Sequence, residues 1–264
     1  MPRLIRIWPA TTHRPPNGGM NNHRTAIVTG STSGIGAAIA RSLATDGIRV
    51  VVSGRDQVRG EKLAAEIDGF FVPADLAGDY RALRAFAEEA TARLDGRVDI
   101  LVNNAGIYPA TATDALADAD LDAMLAVNVR APHVLVAALA PAMAARGDGV
   151  IVNIGSWMAR VGIPFAAAYT ATKAALEQMT RTWSAEFGPK GVRVNTVAPG
   201  VTLTPGNEYA RDVMDHQTAG TPAGMVISPE DIAAAVRFVT SDAASMIHGT
   251  TIDVDGGIVT TRLR

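Results

Sequence analysis

The chain has no cysteine. That excludes disulfides, thiolate nucleophiles and cysteine-ligated metal, and it fits a reducing cytoplasm. It has no surplus of either charge: 24 Lys+Arg stand against 26 Asp+Glu, a formal net charge of -2. A nucleic-acid binder carries a basic excess to neutralise phosphates, so no nucleic-acid partner is expected. No run of 18 apolar residues occurs, so neither a membrane span nor a membrane partner is expected. His133, His216 and His248 show no paired ligand spacing, and no metal site is expected. Aromatic residues are scarce at 5%, which leaves Ala and Val to fill the core.

What remains is 264 residues with 25 glycines, enough chain for a full core and rich in tight turns and close backbone approaches. Residues 1–19 are basic, without periodicity, and hold Pro9, Pro15 and Pro16. They read as a disordered extension or an over-called start ahead of Met20, with residues 20–264 forming one domain.

From Thr25 onward, short β-branched runs alternate with amphipathic stretches. The runs cover 25–29, 49–53, 69–72, 98–102, 150–154, 192–197 and 250–254. The helical patterns cover 35–45, 59–67, 80–94, 116–145, 168–187 and 229–239. Continuous rather than alternating apolar runs mark strands covered on both faces. The order predicts an α/β fold: a single Rossmann-type, doubly wound domain with a seven-stranded parallel sheet flanked by helices. Residues 199–227 break the rhythm with several Pro and Gly just after a strand, the expected place for a substrate lid.

Thr29-Gly30-Ser31-Thr32-Ser33-Gly34-Ile35-Gly36 joins the first strand to the first helix. Gly30 permits a tight turn, Gly34 lets backbone approach a pyrophosphate, and Gly36 lets helix and sheet pack closely. Ser31, Ser33 and Ile35 lie where the helix N-terminus offers its unpaired N–H groups. This predicts a dinucleotide site. Twenty positions after Gly34 stands Gly54, not an acid, and Arg55 follows. A guanidinium pairs with a 2′-phosphate and an acid repels one, so NADP(H) is favoured, with NAD(H) possible because Asp56 adjoins Arg55. Asp75 and Leu76 follow the third strand, where Asp75 suits either the adenine amino group or a helix N-cap.

Tyr169 and Lys173 are one helical turn apart on one face, and a nearby ammonium stabilises a phenolate. Ser156 closes the fifth run, and Asn128 is an amide among apolar neighbours in a long helix. Taken singly, these read equally as a surface pair, a cap and a buried amide.

Together with Asn103-Asn104-Ala105-Gly106, Asn195, Pro199-Gly200 and Val254-Asp255-Gly256-Gly257, they resemble the short-chain dehydrogenase/reductase family over residues 24–257. The thirteen-residue interval from Ser156 to Tyr169 is that family's usual spacing. The resemblance implies roles residue by residue. Tyr169 is the general acid/base, and Lys173 lowers its pKa and binds the nicotinamide ribose. Ser156 orients the substrate oxygen, and Asn128 holds a water that links Lys173 to solvent. Asn104, Ala105 and Gly106 pass beside the adenosine ribose, and Pro199, Gly200 and Thr202 meet the nicotinamide end. The chain departs from the family at Gly155, where a second serine is common, and at Ser33, where NADP users often carry a basic residue.

The expected activity is NADP(H)-dependent interconversion of a carbonyl and a secondary alcohol on a small molecule. The alternatives are a 3-oxoacyl-thioester (acyl-carrier-protein) reductase and, from another class, a non-catalytic dinucleotide-sensing protein. Tyr108, Trp157, Met158, Phe165, Leu203, Met214 and Met225 are the candidates for an apolar substrate pocket. The resemblance also implies a homotetramer packed through the helices at 116–145 and 168–187, with Trp183 or Phe187 as anchors.

Overall fold

The computed structural model describes residues 23–261, so the reading of 1–19 lies outside the described residues. Seven strands form one sheet: β1 (Thr25–Val28), β2 (Arg49–Gly54), β3 (Phe70–Pro73), β4 (Ile100–Asn103), β5 (Gly149–Ile154), β6 (Val192–Pro199) and β7 (Thr251–Val254). All are parallel, in the order β3-β2-β1-β4-β5-β6-β7. The direction of winding reverses between β1 and β4, which opens a crevice at the carboxyl ends of those strands.

Both faces of the sheet are covered, which is why the strands read as unbroken apolar runs. Ile27, Val51, Leu101 and Ile151 face one core, shared with α3 (Tyr80–Arg93), α5 (Ala131–Arg146) and α6 (Ala167–Phe187). Ala26, Val28, Val52 and Val102 face the other, shared with α1 (Gly34–Thr45), α2 (Gln57–Glu66) and α8 (Pro229–Thr240). Asp56 caps α2 through the Arg59 N–H at 2.9 Å, so that helix starts earlier than its apolar pattern. Asp79, not Asp75, caps α3. Asp75 instead closes the preceding turn by accepting from the Ala77 N–H at 3.0 Å.

The long helix at 118–146 is continuous but not uniform. A π-helical turn, Ala126–Arg130, separates α4 (Asp118–Leu125) from α5. By length and composition this helix could cross a membrane, with a mean hydropathy of 1.6 over its apolar window, although no 18 residues in it are all apolar. Here 56% of that window is buried, and its apolar side chains supply the core. The segment after β6 is a closed excursion. The Leu203 N–H donates to the Ile227 carbonyl and the Ile227 N–H to the Val201 carbonyl, at 3.0 and 2.9 Å, joining its two ends. Between them lies a helix missed in the sequence, α7 (Arg211–Thr218).

Candidate active site

Two clefts meet at the crevice and share Asn104, Gly106 and Ile107. The first, about 580 Å³, is walled by Gly30, Thr32, Ser33, Ser53, Arg55, Asp56, Arg59, Asp75, Leu76 and Ala105, with Ala123 and Val127 opposite. The second, about 350 Å³, gathers Ile35, Tyr108, Ser156, Tyr169, Lys173, Pro199, Gly200 and Thr202. Four predicted residues line neither cleft: Ser31, Gly34, Gly36 and Asn128.

Their positions explain why. The Ser31 hydroxyl is fully buried, donates to the Val28 carbonyl at 2.6 Å and accepts from the Ser53 N–H at 3.0 Å. It ties β1 to β2 and is not free for a ligand. A Cβ on Gly36 would lie 2.5 Å from the Gly30 carbonyl oxygen, so only glycine lets the helix start so close to the loop. Gly30 has φ +62° and would strike Ala105 in the same way.

Asn128 is buried by the π-helical turn and clamps the strand-end loop. Its Oδ1 accepts from the Ile107 N–H at 3.0 Å, and its Nδ2 donates to the Ile107 carbonyl and to Thr172 Oγ1 at 3.0 and 3.1 Å. Both amide hydrogens are thereby used, leaving a lone pair on Oδ1 as the amide's remaining valence. That atom and Lys173 Nζ border the bare α-carbon of Gly106, within 3.5 and 3.2 Å of where its Cβ would lie.

Lys173 is buried on α6 and donates to the Ile154 carbonyl at 2.9 Å. Burial penalises its charged form and brings its pKa down to about 8. Its Nζ lies 5.8 Å from the Tyr169 ring centre. Tyr169 runs opposite to the sequence expectation: in the protein alone its phenol is pushed up. Burial is the main cause, the Ser156 hydroxyl pulls the other way, and the neighbouring Tyr108 phenol adds to the rise. Tyr108 packs on it with ring centres 4.4 Å apart and planes tilted by 33°.

Ser156 stands two residues beyond β5, at the start of a short 3-10 turn, Trp157–Arg160. Its Oγ accepts from the Met158 N–H at 3.2 Å, so the cap reading and the cleft reading are both true of it. Arg160 anchors that turn, pairing with Asp253 on β7 and standing 3.6 Å from Glu177 on α6.

At the other end, Arg55 is exposed and makes no hydrogen bond or ion pair among the described residues. Asp56 does not neutralise it, because that carboxylate accepts from Arg59 Nε at 2.7 Å. Ser53 Oγ is buried against the cleft with no partner among the described residues. Thr32, Ser53 and Arg59 were missed from sequence, although their flanks to the glycine loop and Arg55 were the available signal.

The substrate end matches the expected apolar pocket in part. Tyr108, Trp157 and Met158 line it, joined by Ile163, Asn207 and Gln217. Phe165, Leu203, Met214 and Met225 do not, and Phe165 and Met225 are 62% and 66% exposed. Asn207 spends its amide on the Thr202 carbonyl and the Thr204 N–H, whereas the Gln217 side chain has no hydrogen bond among the described residues. Trp183 and Phe187 are largely buried in the chain's own core, and both also line a groove between α5 and α6 with His133 and Pro141.

A parallel sheet with a glycine-rich first turn and a Tyr-Lys pair at its switch point defines a dinucleotide-dependent oxidoreductase. Residues 30–259 match the family model described as enoyl-(acyl carrier protein) reductase. The chain is 37% identical over 241 residues to D-threitol dehydrogenase of Mycolicibacterium smegmatis, covering 89% of this chain and 92% of that one. It is 35% identical over 241 residues to a 3-oxoacyl-[acyl-carrier-protein] reductase of Rickettsia conorii, covering 89% and 97%. A gluconate 5-dehydrogenase of Burkholderia cenocepacia, solved with NADP and tartrate, superposes with a TM-score of 0.83 at 33% identity, covering 90% and 96%. The chain belongs to the short-chain dehydrogenase/reductase family, and is an enzyme acting on CH–OH groups with a nicotinamide dinucleotide.

The residues lining the clefts suit that cofactor. Bare backbone at Gly30 and Gly106 leaves room where a side chain would intrude, and the unpartnered Ser53 hydroxyl faces the adenosine half. The first turn of α1 has no side-chain cap, which leaves its N–H groups for a pyrophosphate.

Proposed function

We propose that the protein is an NADP(H)-dependent dehydrogenase of small polyhydroxylated compounds, interconverting a secondary alcohol and its ketone. The observation that carries this reading is the second cleft, where Ser156, Tyr169 and Lys173 converge beside a substrate space of modest volume edged by the Gln217 amide. A cleft of about 350 Å³, with Tyr108, Trp157, Met158 and Ile163 on its wall and Gln217 at its edge, suits a short substrate better than a long acyl chain. The named activities of the threitol and gluconate relatives support the same class.

When bound, the dinucleotide supplies or accepts the hydride at its nicotinamide ring. Tyr169 gives a proton to the carbonyl oxygen in reduction or takes one from the alcohol in oxidation. Ser156 Oγ donates to the same oxygen and fixes its position. Lys173 would hold the nicotinamide ribose, and its ammonium, 5.8 Å from the Tyr169 ring centre, would favour the phenolate. Asn128 keeps the Ile107 loop and α6 in register and offers Oδ1 as the acceptor that would hold a water carrying the proton onward from Lys173. Gly30, Ser33 and Ile35 present backbone to the phosphates, and Gly34 and Gly36 shape the turn that aims them. Asp75, Leu76, Asn104, Ala105 and Gly106 enclose the adenosine, and Pro199, Gly200 and Thr202 cover the nicotinamide end. Arg55, unpartnered at the mouth of the first cleft, suits a 2′-phosphate and underlies the preference for NADP(H). Residues 199–227 act as the lid, and a homotetramer in the cytoplasm belongs to the same reading. A tetrameric mass by light scattering checks the assembly.

A second reading, reduction of a 3-oxoacyl thioester, is supported by the Rickettsia relative. Both are tested by assaying purified enzyme with polyols and NADP⁺ and with a 3-oxoacyl thioester and NADPH, alongside Tyr169→Phe. We expect polyol oxidation, lowered by at least about 10²-fold in the variant with dinucleotide affinity kept. Turnover of the thioester alone would replace the first reading with the second.

A further inference from the structure

The π-helical turn puts two polar side chains to use in opposite directions. Asn128 points into the core toward Ile107 and Thr172. Two residues on, Arg130 reaches the loop that follows β3, where its Nη2 donates to the Ala77 carbonyl at 2.8 Å and also to the Gly78 carbonyl. Its guanidinium carbon stands 5.4 Å from the centre of the Tyr80 ring at the start of α3.

That loop is one wall of the adenosine cleft. It leaves β3 through the Ala74 N–H, which donates to the Gly54 carbonyl at 3.1 Å, and turns back through the Gly78 N–H to the Asp75 carbonyl. Ala74, Asp75, Leu76 and Ala77 line the cleft from this side. The opposite wall is Ala123 and Val127, on the helix that carries Arg130. Between residues 126–130 and 77–78 the arginine is therefore a strut joining the two walls. A helix backbone is rigid, whereas a loop with a glycine at its exit is not, so the strut determines where the loop stands.

We infer that Arg130 is a positioning residue for the adenosine half of the cofactor: it holds the cleft at binding width without itself lining it. This rests on the dinucleotide reading of the clefts. Loss of the fork frees two carbonyls to water and lets the loop drift, so binding of the adenosine moiety weakens while the Tyr169–Lys173 end is untouched.

The test compares wild type, Arg130→Met and Arg130→Lys with three probes: NADPH, 5′-AMP, and reduced nicotinamide mononucleotide. In Arg130→Met, NADPH and 5′-AMP should each bind about ten-fold more weakly, the size expected for charge-assisted hydrogen bonds. Affinity for the mononucleotide, and kcat at saturating NADPH, should stay within about two-fold. Arg130→Lys keeps a cation for the same carbonyls and should recover part of the loss. Unchanged 5′-AMP affinity in Arg130→Met overturns the inference. So does an equal loss with both half-molecules, which marks a general structural role. If Arg130→Met does not fold, Tyr80→Leu removes the ring beneath the guanidinium and reads the same quantity, with selective loss of 5′-AMP supporting the inference and no loss overturning it. Failure of wild type to bind any probe would instead overturn the dinucleotide reading.

Discussion

Tyr108 covers one side of Tyr169, ring centres 4.4 Å apart, and so stands between the candidate acid/base and water. The contact joins the strand-end loop after β4 to the helix α6, and the Tyr108 phenol adds to the rise of the Tyr169 phenol that burial mainly causes. Opening this side by Tyr108→Ala should lower that pKa, since the phenolate would regain hydration. In a pH profile of alcohol oxidation, the rising limb should move to lower pH in the alanine variant. Tyr108→Phe keeps the ring and should leave the limb closer to wild type. Coincident limbs for wild type and alanine would remove Tyr108 from any influence on proton transfer.

Arg55→Ala should weaken NADPH binding by about ten-fold or more and leave NADH almost unchanged, because a guanidinium–phosphate fork is charge-assisted. Paired fluorescence titrations measure this directly. Equal losses for the two dinucleotides would make Arg55 a general wall of the cleft.

Lys173 links stability to pH. Its pKa falls from 10.5 in the unfolded chain to about 8 in the fold. Between these values the unfolded chain holds more protons, so this group makes stability rise as pH rises through the window. Below about 8 the folded chain bears the full cost of a buried ammonium, about 3 kcal/mol for a shift of this size. In urea titrations from pH 8 to 10, wild type should therefore gain on Lys173→Met. Parallel curves would show that Lys173 keeps its ordinary pKa.

Ser31→Ala should cost about 1–3 kcal/mol, since it leaves the buried Ser53 N–H without an acceptor. Dinucleotide affinity should barely change. A large loss of affinity in a variant of undiminished stability would return Ser31 to the phosphate site.

Much of this architecture was legible because its causes are local. A strand covered on both faces must be apolar throughout, and β1, β4 and β5 are buried at every residue. Tyr169 and Lys173 share a face by helical spacing alone. What escaped depends on partners distant in the chain. Arg130 meets carbonyls 53 and 52 residues away, and nothing beside it in sequence points to them. The direction of the Tyr169 shift depends on burial within the fold, which composition cannot report. Helix α7 is short and polar, so its periodicity was too weak to find. The strand-joining bonds of Ser31 escaped because a loop that binds phosphate and a loop that joins two strands call for the same small hydroxyl.

In the long helix, the π-helical turn is equivalent to one residue inserted into a regular α-helix. Removing a single codon within 126–130 would restore regular winding at almost no cost to helix geometry. It would also rotate everything on its N-terminal side by about 100° relative to α5. Met124, now buried, would leave the core, and Ala123 would leave the cleft wall. A one-residue deletion here is therefore expected to be far more damaging than most substitutions, and a deletion scan across 118–146 should find its sharpest minimum at the turn.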